Sequence, residues 1–159
     1  MEIRQARQDE LEAVLAIYER ARQYMKLTGN PTQWGENYPP AVLVEEDIAK
    51  GALYVIDDGG ICGVFAFFPD GEPLYDRIDG AWLNDEPFAA IHRVASAGTR
   101  KGILSDCIAF CRSRSDNLKI DTHVDNKIMQ HQLKKVGFVE CGTIHLENGD
   151  PRIAFQLIS

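Results

Sequence analysis

Residues 95–106 read ASAGTRKGILSD and hold the most specific chemistry in the chain. A strand ending near Ser96, a turn with glycines and a helix opening at Gly102 would gather several unpaired backbone N–H groups and a positive helix end at one point. That arrangement suits a phosphate or pyrophosphate, and Arg100 and Lys101 add charge beside it. By itself the turn is weak evidence, because many strand-to-helix connections look similar and bind nothing. Leu104 stands where such turns often place a second glycine. On a helix beginning near Gly102 it shares a face with Ile108 and Cys111, so its side chain is expected to point to the core while the backbone amides stay free for an anion. Cys107 and Cys111, four apart on the same helix, could supply half of a metal site. The four cysteines show no CxxC spacing, however, and reduced, buried thiols account for them; no metal is expected.

The elements that must carry this turn follow from periodicity. EIRQA alternates as a short strand, and Asp9 opens a helix on which Leu11, Val14, Leu15, Tyr18, Ala21 and Met25 recur at helical spacing. A Gly-, Asn- and Pro-rich loop over 27–40 precedes a short second helix ending at Gly51. ALYVID and ICGVFAFFP form a hairpin around DGG. The stretch 70–87 has turn residues throughout and no sustained period, which marks a long excursion of the kind that is often functional. FAAIHRVAS is the next strand and leads into the turn and the third helix. NLKIDTHV, a helix capped by Asp125 or Asn126 and stopped at Gly137, and a closing hairpin complete the chain. The order β α α β β β α β α β β predicts an α/β fold: one domain over 1–159, with a mixed central sheet and about four helices.

The second unit, NLKIDTHVDNKIMQHQLKKVGFVECGTIHL, sharpens the first. Taken together, and over the whole chain, they resemble the GNAT acetyltransferase superfamily. In that family a strand of the form Val-x-Pro leads into Arg/Gln-x-x-Gly-x-Gly/Ala, whose amides hold the pyrophosphate of coenzyme A. Val94, Ser96, Thr99, Gly102 and Leu104 stand at those positions here. The later pattern, Asn-x-x-Ala, a tyrosine and Gly-Phe, is met by Asn126, Met129, Leu133 and Gly137-Phe138. The resemblance implies acetyl-coenzyme A as cosubstrate, held by Val94, Ser96, Thr99, Arg100, Lys101, Gly102, Ile103, Leu104 and Asn126. It implies direct transfer of the acetyl group to an amine of a small molecule or a peptide N-terminus.

Thr99 replaces a longer donor, a tolerable change because the cradle relies on backbone N–H groups. Leu133 matters more, since the family tyrosine often protonates the departing thiolate; a thiolate of pKa about 8.5 to 10 leaves without much help. His92 and His123 lie on the two strands that diverge around the thioester in the family, and imidazole titrates near neutrality, so they are the candidate bases. A histidine in a strand is, however, more often a hydrogen-bonded structural residue. The strand carrying His92 and Val94 would offer an N–H to the developing oxyanion. His131 and His145 read as surface residues. Trp34, Tyr38, Tyr75 and Trp82 would border the acceptor pocket, with a lid over a small core as the other reading, above all for Trp82. With acids such as Glu36 close by, a cationic amine is the natural acceptor.

Charge and composition bound the rest. A net charge of −7 argues against nucleic acid. Between residues 98 and 136, eight Lys or Arg face four acids, whereas the remainder carries nine against twenty, a local balance that suits a compact polyanion. There is no apolar run of membrane-spanning length and no signal-peptide pattern, so no membrane partner and a cytoplasmic location are expected. A homodimer fits the family. The rival reading from another class is a module of the same fold that binds acyl-coenzyme A without turnover. A small metal-binding protein ranks last.

Overall fold

A computed structural model describes residues 1–159. Its elements run β1 (Glu2–Gln5), α1 (Leu11–Leu27), α2 (Ala41–Ala49), β2 (Leu53–Asp57), β3 (Ile61–Phe68), β4 (Asp79–Gly80), β5 (Ala89–Ser96), α3 (Ile103–Arg112), β6 (Asn117–Thr122), α4 (Lys127–Lys135), β7 (Val139–His145) and β8 (Pro151–Ile158). All eight strands join one sheet in the order β1-β2-β3-β5-β6-β8-β7-β4. Only the β5–β6 pair is parallel. This is the mixed α/β sheet with four helices that the periodicity predicts. One element escapes that prediction. The excursion after β3 contains a 3₁₀ turn at Pro73–Asp76 and the edge strand β4, where Asp79 and Gly80 pair with Thr143 and Gly142. Two residues are too few to leave an alternation in the sequence, which is why seven strands are legible and eight exist. No helix is long and apolar enough to cross a membrane.

Alternation along the strands splits the core into layers. On one face Val14, Ile17, Tyr18 and Ala21 of α1 and Val44 and Ile48 of α2 pack with Leu53, Val55, Val64, Ala66 and Ala95. On the other, Leu104, Cys107, Ile108 and Cys111 of α3 and Leu133 of α4 pack with Phe65, Phe67, Ile91, Leu118, Ile120, Phe155 and Leu157. Neither α1 nor α2 belongs to the remaining patch, where Tyr75 from the excursion lies with Ala90, Ile144 and Ala154. The excursion is held down by unusual means. Lys119 of β6 is 4% exposed and lies between the rings of Trp82 and Phe88, its Nζ 4.0 and 3.9 Å from their centres. Desolvation there pushes its pKa down. Asn84 adds bonds to the buried Asn117 and Gln156.

Leu104 is 8% exposed and belongs to the same buried cluster as Ile108 and Cys111. Changing it to Gly removes a packed side chain and frees backbone near a helix start, a loss of about 2 to 5 kcal/mol in stability. Denaturant unfolding should show that loss while affinity for coenzyme A stays within a few-fold. Tenfold tighter binding with unchanged stability would mean that the leucine blocks the turn instead.

The feature that positions the site is a wedge. β5 and β6 are partners only at Ala89–Leu118 and Ala90–Lys119; beyond that the β6-facing edge of β5 has no ladder, although β5 runs on to Ser96. The β3–β5 register also slips between Val64 and Ala66, opposite His92 to Ala95. Arg93 sits in this bulge with φ +54°, the one non-glycine residue with positive φ. Such a conformation costs about 1–3 kcal/mol and persists where its surroundings over-determine it. Here Asp47 of α2, 1% exposed, accepts a hydrogen bond from Arg93 Nε at 3.0 Å and pairs with its Nη2 at 2.9 Å, and the Tyr38 hydroxyl accepts from Nη1 at 3.2 Å. The Tyr18 hydroxyl donates to the Arg93 carbonyl at 2.9 Å.

Candidate active site

Two cavities open on either side of the wedge. The first, about 660 Å³, is bordered by α1, the end of β5, the 97–102 turn and the starts of α3 and α4. Val94, Ser96, Thr99, Arg100, Lys101, Gly102, Ile103, Leu104 and Asn126 all line it. Gly102 caps α3 at φ +84°, and a side chain built on it would meet no atom within 4 Å, so the turn is open above the helix end. Asp106 N–H bonds the Gly102 carbonyl at 3.0 Å, which leaves the amides of Ile103, Leu104 and Ser105 without an intrahelical acceptor.

The charged residues on this wall are Arg20, Arg100 and Lys101; no carboxylate lines it. Arg100 is turned toward Asp106 and Asp58, and those pairs hold it beside the cradle. Arg20 carries no signal in the sequence beyond its place on a helix. From α1 it reaches across to bond the Ser96 carbonyl at 3.0 Å and presses its guanidinium against the Gly98 backbone. Any side chain at Gly98, where φ is +78°, would collide with it.

The second cavity, about 600 Å³, is walled by the 32–38 loop, Glu72 and Leu74 of the excursion, the middle of β5, the end of β6 and the β7–β8 turn. Four residues, Met25, Val94, Asn126 and Met129, line both cavities, so the two meet at the wedge. Asn126 ties the junction together. Its carbonyl oxygen accepts from Met129 N–H at 3.1 Å, capping α4, while its amide donates to Gln33 at 3.1 Å.

Trp34 and Tyr38 line the second cavity, their rings 6.2 Å apart. His92 does too, and its Nε2 lies 3.0 Å from Oε1 of Glu72. The carboxylate is off the ring's N–H direction, so Nε2 has no aligned hydrogen-bond partner although the two groups are in close polar contact. His92 and its neighbouring N–H groups hold the Glu72 carboxyl below the usual range despite partial burial. Glu72 also accepts from Leu74 N–H at 3.3 Å, which fixes it at the head of the 3₁₀ turn. Asp121 points the same way across the wedge, bonded at 2.6 Å by the buried Tyr75 hydroxyl.

A solved structure of a GNAT-family acetyltransferase from Streptococcus agalactiae is 30% identical to this chain, covers 99% of it and is covered to 95%, with a TM-score of 0.86. The chain belongs to the GNAT acetyltransferase family. A GNAT-family acetyltransferase from Listeria monocytogenes (17% identity, 99% of this chain and 94% of that one, TM-score 0.72) shares its fold. So does a ribosomal-protein-alanine N-acetyltransferase from Brucella melitensis (21% identity, 100% of both chains, TM-score 0.65). No family model matches the sequence, and neither does any curated protein.

Within this GNAT frame the remaining predicted residues fall elsewhere. His123 does not line the second cavity. Its Nδ1 accepts from Asp125 N–H at 3.0 Å, which leaves the neutral ring's proton on Nε2, 3.4 Å from the Thr32 hydroxyl. Trp82 lies outside the cavity as well, bonding the Tyr75 carbonyl through Nε1 at 2.8 Å and covering Lys119. Tyr75 is 1% exposed beneath it. Glu36 pairs with Lys26 instead of facing the cavity, whose acids are Glu72, Asp121, Glu147 and Asp150. Leu133 is fully buried and lines neither cavity. Cys107 and Cys111 are core residues, burial pushing the Cys107 thiol well up, and no group of His, Cys, Asp or Glu is placed to hold a metal ion.

Proposed function

We propose that the protein is an N-acetyltransferase that moves acetyl from acetyl-coenzyme A directly to an amine. The observation that carries this reading is the meeting of an all-cationic cavity and a mainly acidic one at the wedge, with His92 on the acidic side. The residues present fit coenzyme A. The open Gly102 turn presents the amides of Ile103 to Ser105 to the pyrophosphate, and Arg20 and Lys101 neutralise its charge. Once bound there, acetyl-coenzyme A supplies the acyl group as a thioester.

The chain's own work is positioning and proton transfer. The unpaired edge of β5 beyond Ala90 offers backbone N–H to an oxyanion at the wedge. Asp47, Tyr18 and Tyr38 hold that edge in its bulged shape. Trp34 and Tyr38 wall the acceptor, and the acids beside them favour an ammonium group. Glu72 covers Nε2 of His92, so Nδ1, which has no hydrogen bond, is the nitrogen left to take the amine proton. Leu133 offers no proton donor.

Thiol release from acetyl-coenzyme A, measured across a library of amines, tests the reading. Turnover that depends on an amine is the expected result. Coenzyme A binding with no turnover on any amine would replace the transferase with a binder of the same fold.

A further inference from the structure

Resting on that function, we infer that the acceptor amine also carries a carboxylate, which Arg152 binds. Arg152 is 7% exposed on β8 and lines the acceptor cavity. Its two hydrogen bonds go to carbonyls: Pro151 O at 2.9 Å and Gln33 O at 3.3 Å. Three of the five N–H groups of the guanidinium are therefore unused. The contrast with Arg93 in the same cavity is direct, since that guanidinium is neutralised by the buried Asp47. Arg152 forms no salt bridge.

The carboxylates that share its cavity are engaged or exposed. Glu72 is paired with His92, and Asp121 accepts the Tyr75 hydroxyl. Asp150 is exposed and bonded to Asn148, and Glu147 is exposed. A buried guanidinium without a counter-ion is costly, and its planar fork matches a carboxylate in bidentate geometry. A ligand that brings the anion removes the penalty when it binds. The cavity thus offers two poles, an acidic one at Glu72 and His92 for the amine and a cationic one at Arg152 for the acid. In a peptide the α-carboxyl of the N-terminal residue is tied up in an amide bond, so the geometry points to a small amino acid.

The test compares α-, β- and γ-amino acids, each with its own carboxamide, as acceptors for the wild-type protein and for Arg152→Gln and Arg152→Lys. At least one acid should exceed its amide in kcat/KM by about 10²-fold, as expected when a buried charged group would otherwise stay unpaired. Arg152→Gln should erase that preference through KM, with kcat and the thermal shift from coenzyme A retained, and Arg152→Lys should restore part of it. The same acid, added without cofactor, should raise the melting temperature of the wild type and not of Arg152→Gln. Amides used as well as acids, or a preference that survives in Arg152→Gln, would overturn the inference and leave the transferase standing. If nothing turns over, stabilisation by the acid still supports the anion site, and its absence removes both readings.

Discussion

Gly102→Glu will abolish the stabilisation that coenzyme A confers on this fold. A ligand at 100 times its dissociation constant, bound only to the native state, adds about 2.7 kcal/mol. In a chain of this length that is a rise of roughly 5 to 10 °C in melting temperature. The glutamate places bulk and negative charge over the amides of Ile103 to Ser105, where nothing now lies within 4 Å of a built side chain. Because φ is +84° there, any side chain strains the backbone by about 1–2 kcal/mol, so the baseline melting temperature falls as well. Gly102→Ala separates the two effects: it carries the strain without the charge and should keep most of the shift. An unchanged shift in the glutamate variant would place the pyrophosphate somewhere other than this turn.

His92→Gln should lower kcat by roughly 10²- to 10⁴-fold while the thermal shift from coenzyme A is unaffected, the span expected for loss of a general base. A base must be unprotonated to accept the amine proton, so wild-type kcat should rise with pH and the Gln variant should lose that limb. Glu72→Gln removes a group that orients the ring and should show a smaller loss with the limb retained. His123→Gln should keep its rate, since Nδ1 already accepts the Asp125 amide and the ring stands outside the cavity. Stopped-flow thiol release over a range of pH checks all three. Loss of rate in His123→Gln alone would move the base to the residue that follows β6.

What was legible in the sequence was what neighbours along the chain decide. Helical spacing in α1 and α3 assigns their buried faces, Leu104 included, because a side chain's direction depends on its own few turns of backbone. Gly102 marks the start of α3 through its φ of +84°, and Asn126 the start of α4 through a cap bond to Met129, three residues on. The cavity residues from 94 to 104 come together for the same reason: they are consecutive on one strand, turn and helix. The sequence could also name two histidines, and could not choose between them.

That choice belongs to contacts between distant segments. Glu72 reaches His92 because a 3₁₀ turn in the excursion is anchored over β5, and Arg20 reaches the Ser96 carbonyl because α1 crosses the sheet there. Arg152 lines a cavity together with the loop from Thr32, bonding the Gln33 carbonyl across 119 residues of sequence. Two tryptophans in loops look alike as letters; Trp34 lines the cavity, while Trp82 lies on a buried lysine two strands away from it in sequence order. The wedge itself is a register event, the point at which β5 and β6 stop pairing, and it depends on how far the bulge at Arg93, clamped by Asp47, turns one strand from the other. Pairing, clamping and burial are set by which surfaces meet when the chain is packed, and no window of sequence contains both partners.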